Sequence, residues 1–300
     1  NDVLGYATSG GAGVDQTGNF NPATYGGNDI TDPNVFASVF SDMTNALTAN
    51  GAKGVVANVP YVTSLSYITT VPHNPIPLDA GTAGALNAGY APYNGGLLVA
   101  QSYAMIDAAE VAKRTINFVE GQNAVVIIDE DLTDLSALGI PSYRQATAND
   151  LLVLTSSSFI GTLADPSNPN SVNGVGVPLA NQWVLTDTEQ AKVKTATDAY
   201  NMTIEAVANA NPNIALVDFK GVLQEASTGI QFDEYVMNTS LVMGGLVSLD
   251  GVHLTGRGYA LMANKILAAM DAEFGSNFTT ATGGLAIAGD YTTNYSPSLR

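Results

Sequence analysis

Val35, Phe36, Val39, Phe40, Met43 and Leu47 recur every three or four positions, behind Asp32-Pro33 and ahead of Asn50-Gly51. That spacing predicts an amphipathic helix with proline at its first position and glycine at its stop. The apolar run around Val55, Val56, Ala57 and Val59 ends at Pro60. It does not alternate, which predicts a strand buried on both faces, as in a parallel sheet covered by helices. The same rhythm returns later. Thr186-Asp-Thr-Glu189 is a capping-box pattern, followed by Ala191, Val193, Ala196, Tyr200, Ile204 and Val207 at helical spacing. Asn211-Pro212-Asn213 breaks that helix, and Ile214 to Phe219 reads as a second buried strand. A last helix is expected from Gly256 to Phe274, with Thr255 as its cap. Helix, strand, helix, strand, helix is the order of a doubly wound α/β layer structure.

Residues 64–185 interrupt this order and read as an insertion, a cap or lid elaboration of a single α/β domain. Within it lie a proline-rich loop (Val71 to Pro77) and helical stretches at 83–94 and 103–112. A hairpin of 115–119 with 124–128 is expected next, then an apolar run at 151–154 and a low-complexity loop from Ser156 to Asn173. The tail, 276–300, is rich in Thr, Gly, Asn and Tyr and reads as a surface-hugging extension.

A chain of 300 residues is long enough to bury about three quarters of its unfolded surface. A net charge of −17 argues against nucleic acid and against docking on an anionic membrane. The absence of cysteine removes disulfides, thiolate nucleophiles and thiolate metal sites, and two distant histidines make a zinc site poor chemistry. No run reaches the roughly 18 apolar residues of a membrane span. Only 12% of residues are charged while Gly, Asn, Thr and Ser abound, a profile that suits a secreted or surface-displayed protein; the expected location is secreted, periplasmic or cell-surface, in a bacterium.

The richest chemistry lies in Ser248-Leu-Asp250-Gly-Val-His253-Leu-Thr255. An aspartate three positions before a histidine can meet its Nδ1 in a turn, leaving Nε2 to accept a proton. The plain alternative is a helix-entry turn in which Asp250 caps backbone and His253 is half-buried. Asp250-Gly-Val-His253-Leu-Thr255 followed by Gly258-Tyr-Ala-Leu-Met-Ala-Asn264 resembles the last sequence block of SGNH/GDSL hydrolases. The resemblance implies a flavodoxin-like three-layer α/β/α fold and hydrolysis of carboxylic esters by a lipase, esterase or acylhydrolase. It implies that Asp250 and His253 complete a catalytic triad. Asn1-Asp2-Val3-Leu4 resembles the end of that family's third block, Gly-x-Asn-Asp, which makes Asn1 the oxyanion-hole donor and Asp2 a structural carboxylate. A second such string, Gly26-Gly27-Asn28-Asp29, follows a polar stretch with no strand pattern.

The family's first block, Gly-Asp-Ser, is nowhere in the chain. Ser9, in Thr-Ser-Gly-Gly, lies on the wrong side of the asparagine block. The expectation is therefore the C-terminal part of a longer hydrolase, inactive alone, whose first strands and nucleophilic serine come from a missing N-terminal segment. A degenerate relative and an unrecognised nucleophile are the alternatives. From another class, the chain reads as a non-catalytic module binding a carbohydrate or a protein through its loops. The expected substrate is a small-molecule, lipid or glycan ester, with neither cofactor nor metal. His73 reads as a surface-loop residue or a substrate-rim group. Arg144 reads as an ion-pair partner or a contact for an anionic substrate group, and Asp129-Glu130 as a solvated turn rather than a calcium loop.

Overall fold

The computed structural model describes residues 2–293, a mixed α/β fold with small sheets. Its helices are α1 (Leu4–Thr8), α2 (Pro33–Thr48), α3 (Ser66–Thr69), α4 (Ala80–Ser102) and α5 (Ala108–Arg114), then α6 (Asp187–Ala210), α7 (Phe219–Thr228) and α8 (Gly256–Phe274). The strands are β1 (Gly54–Ala57), β2 (Ile76–Leu78), β3 (Gly121–Asn123), β4 (Val126–Ile128) and β5 (Tyr143–Gln145), then β6 (Leu151–Leu152), β7 (Val184–Leu185), β8 (Ile214–Val217), β9 (Ile230–Phe232) and β10 (Tyr235–Met237). They pair two by two, and β1 with β8 is the parallel pair among them. No helix among the described residues is long and apolar enough to cross a membrane.

The chain divides into two compact units, one of residues 2–6, 13–70 and 191–293, the other of residues 7–12 and 71–190. In the first, β1 and β8 run in register from Gly54 opposite Ile214 to Ala57 opposite Val217. Helix α8 packs on both strands. Val222, Leu223 and Ala226 of α7 meet Ala260 to Met262 of α8 and the β9–β10 hairpin in one buried cluster. Two expectations fail here. β1 is half-buried along its length rather than enclosed, because β8 is its one strand neighbour among the described residues. The stripe of α2 expected to face a core is largely at the surface, with Val39 59% and Leu47 69% exposed.

The caps follow the sequence closely. Asp32 Oδ1 accepts from the N–H groups of Asn34 and Val35, and Thr255 Oγ1 accepts from that of Gly258. Glu189 Oε2 accepts from the N–H of Thr186, while Thr186 Oγ1 accepts from that of Glu189, closing the capping box.

The second unit centres on Phe118, Val126, Ile127, Leu152, Leu179 and Val184, all essentially inaccessible. The expected hairpin of 115–119 with 124–128 does not form; β3 pairs with β2 and β4 with β5, both antiparallel. The reason lies in side-chain amides. Asn94 accepts from Ile116 N–H and donates to its carbonyl, and Asn87 does the same for Phe118. Asn123 likewise serves Val119. The backbone of Ile116, Phe118 and Val119 is thus satisfied without a strand partner. The helices expected at 83–94 and 103–112 are instead one long α4, which carries Pro92 inside it, and a short α5 starting at Asp107, its cap.

Candidate functional site

Val252 and Leu254 of the Asp250–His253 turn line a cavity shared with Val59 and Phe219, which lie just past the ends of β1 and β8. Asn58 and Asp218 directly follow β1 and β8 and hydrogen-bond each other at 2.7 Å. Asn58 Oδ1 accepts from Lys220 N–H and Asp218 Oδ1 from Gly221 N–H, so the strand ends cap α7. Asn201 of α6 holds Val59 through both backbone groups. The chain then passes through α3, where Tyr67 N–H donates to Gly251 O at 2.9 Å. Gly251 adopts φ +74, and a Cβ there would lie 2.6 Å from Tyr67 N. Only glycine suits both that backbone and that contact.

Within the turn, Asp250 Oδ2 meets His253 Nδ1 at 2.7 Å. Oδ1 accepts from Ser248 Oγ at 2.7 Å and from the N–H groups of Val252 and His253 at 2.9 Å each. Burial works to raise the Asp250 carboxyl, but these donors outweigh it and hold it well below the usual carboxylate range. The base of the turn is tied by Ser248 N–H to His253 O, and by Thr255 to Leu246 and Gly245. His253 is 71% exposed, and among the described residues its ring is hydrogen-bonded to Asp250 alone. With Nδ1 committed there, Nε2 is the nitrogen able to take a proton.

Beside the turn is an apolar cavity of about 650 Å³. Val252 and Leu254, the two neighbours of His253, line it, together with Val3, Val59, Phe219 and Met262 among others. His253 itself does not. Tyr200 reaches the cavity too, its hydroxyl bonded to Thr31 O, and burial pushes its phenol far up.

Asp2 accepts from Thr31 through both its carboxylate and its carbonyl and lines the same cavity. Asn1, the expected oxyanion donor, lies outside the described residues. The second Gly-x-Asn-Asp string is a turn in which Asp29 accepts from Val14, Gln16 and Gly26, a structural knot. Ser9 and His73 belong to the other unit, where His73 is half-buried and its carbonyl accepts from Val125 N–H.

Arg144 is an ion-pair residue. Buried to 2% exposure, it meets Asp129 at 2.5 Å and Asp150 at 2.6 and 2.7 Å. The reading of Asp129 as part of a solvated turn is corrected by this: Asp129 is 1% exposed and also pairs with Lys113. Burial works to raise the Asp129 carboxyl, and Arg144 and Lys113 more than reverse that. A second buried cation, Arg114, was missed in the sequence: it donates to the carbonyls of Thr133 and Pro141 and to the Tyr93 hydroxyl, and pairs with Glu110 at 3.3 Å. Among the described residues no group of three His, Asp or Glu could hold a metal ion.

No protein-family model, no curated protein and no solved structure matches the chain.

Proposed function

We propose that the Asp250–His253 turn is the base half of a serine ester hydrolase of the SGNH/GDSL kind, built on a flavodoxin-like α/β/α frame. The observation that carries this reading is the 2.7 Å contact between Asp250 Oδ2 and His253 Nδ1, made by a well-exposed imidazole whose two neighbours line an apolar cavity. Helix entry alone does not require it, since Thr255 already caps α8.

In the proposed reaction a serine attacks the acyl carbon of an ester while His253 takes its proton at Nε2. His253 then returns that proton to the leaving alcohol, and Asp250 stabilises the imidazolium. Asn1 donates to the oxyanion. The serine is assigned outside these 300 residues because the Gly-Asp-Ser string that would supply it does not occur in them. The substrate is a small-molecule, lipid or glycan ester.

Labelling with a fluorophosphonate, which reacts with base-activated serines, tests this. The 300 residues alone should remain unlabelled, and the chain extended upstream in its reading frame should carry one label, lost in His253→Ala. A label on a serine within the 300 residues would overturn the placement of the nucleophile. Absence of label in both forms would favour the non-catalytic binding module.

A further inference from the structure

The second unit has a cleft of its own, about 550 Å³, between β2, one face of α4 and the loop 161–176. That volume falls within the ~300–1,000 Å³ of small-molecule sites. Leu78, Leu86, Tyr90, Val172 and Val175 supply its walls. Two glycines give it shape. A Cβ at Gly89 would meet nothing within 4 Å, so the helix is left bare where it faces the space. A Cβ at Gly176 would sit 1.9 Å from Asn170 O, so only glycine lets the loop fold back over itself at the mouth.

The chemistry of the lining narrows the occupant. No acidic or basic side chain lines the cleft. No side chain of the lining would offset the charge of a cation, the Asp79 carboxylate, outside the lining, being bonded to Thr82, and an anion would enter against a chain of net charge −17. The internal hydroxyls are already used: Tyr90 donates to Val175 O at 2.6 Å and Thr82 to Asp79 Oδ2 at 3.0 Å. Asn170, exposed in the lining, carries an amide suited to a hydroxyl or an ester carbonyl.

We propose that this cleft binds an uncharged alkyl or acyl chain, with the polar end of the ligand at Asn170. The site is separate from the Asp250–His253 turn and does not depend on the hydrolase reading.

A series of primary alcohols tests it, with binding followed by displacement of the neutral dye Nile red. Affinity should rise about fourfold per added methylene from hexanol to decanol, as the burial of each CH₂ requires. Decanoate should bind at least tenfold more weakly than decanol. Gly89→Phe fills the space while removing a helix-weakening glycine, so it should keep the fold, checked by circular dichroism, and weaken decanol binding at least tenfold. Ala85→Leu, on the same face of α4, should weaken it in the same direction. Ala263→Phe, which fills the cavity of the other unit, should leave it unchanged. Three results would overturn the proposal: no saturable alcohol binding, decanoate binding as tightly as decanol, or loss of binding in Ala263→Phe but not in Gly89→Phe.

Discussion

Replacing Arg144 by Met should cost the second unit about 3–5 kcal/mol, the usual effect of breaking a buried ion pair from one side. The geometry explains the size. Asp129 and Asp150 are 1% and 3% exposed, and Arg144 donates to both, through Nε to one and both terminal nitrogens to the other. Without the guanidinium, two carboxylates stay buried, and Lys113, at 3.4 Å from Asp129 and 44% exposed, compensates one of them only in part. At a urea slope of ~2 kcal/mol/M the midpoint should fall by roughly 1.5–2.5 M. The sign of the pH dependence follows from the carboxyls. In the native protein Asp129 is depressed, so its contribution is present above the unfolded carboxylate range and is lost as pH falls through its lower folded value. In the variant the buried Asp129 carboxyl loses its main partner and is raised instead, so the penalty is full at pH 7 and shrinks as pH falls toward 5 and it takes up a proton. Urea melts of both proteins at pH 7 and pH 5 would show this. Adding Asp129→Leu and Asp150→Leu to Arg144→Met should recover most of the loss. A loss below 1 kcal/mol that does not change with pH would refute the reasoning.

Asn87→Ala and Asn94→Ala should each cost about 1–3 kcal/mol, the penalty for unsatisfied part-buried backbone groups, with amide exchange accelerating at Phe118 in the first and Ile116 in the second. Gly251→Ala forces a left-handed backbone on a Cβ residue and a contact with Tyr67, so it should destabilise by at least ~1–2 kcal/mol and shift the His253 ring resonances. In Asp250→Asn the amide oxygen stays with the three donors on Oδ1 and an NH2 donor faces His253 Nδ1, so ¹⁵N spectra should show the ring tautomers redistributing; unchanged spectra would mean the contact does not fix the tautomer.

What could be read from the sequence was local. Asp32, Thr186 with Glu189, and Thr255 bond to backbone within three residues, so their pattern carries their geometry. The contact of Asp250 with His253 spans three residues and was readable for the same reason. The strands β1 and β8 announced themselves by unbroken apolar runs. The hairpin failed because its competitors, Asn87 and Asn94, lie 31 and 22 residues away from the groups they satisfy. Asp129 looked solvated because its partner Arg144 is 15 residues on, across a strand pair no local pattern defines. The length of α4 was hidden by Gly84, Gly89, Gly95 and Pro92, which read as breakers but are tolerated inside it. The outward face of α2 was hidden differently: periodicity reveals a helix that has an apolar side, and not what covers that side.

The central claim is that His253, oriented by Asp250, is the base for a serine the 300 residues do not supply. The most direct measurement is p-nitrophenyl butyrate hydrolysis by these 300 residues beside the chain extended upstream. The account predicts turnover in the extended form, abolished by His253→Ala, and a rate lower by about 10⁶-fold in the short form, the scale of losing a nucleophile. Substantial turnover by the short form, or turnover by the extended form that survives His253→Ala, would contradict it.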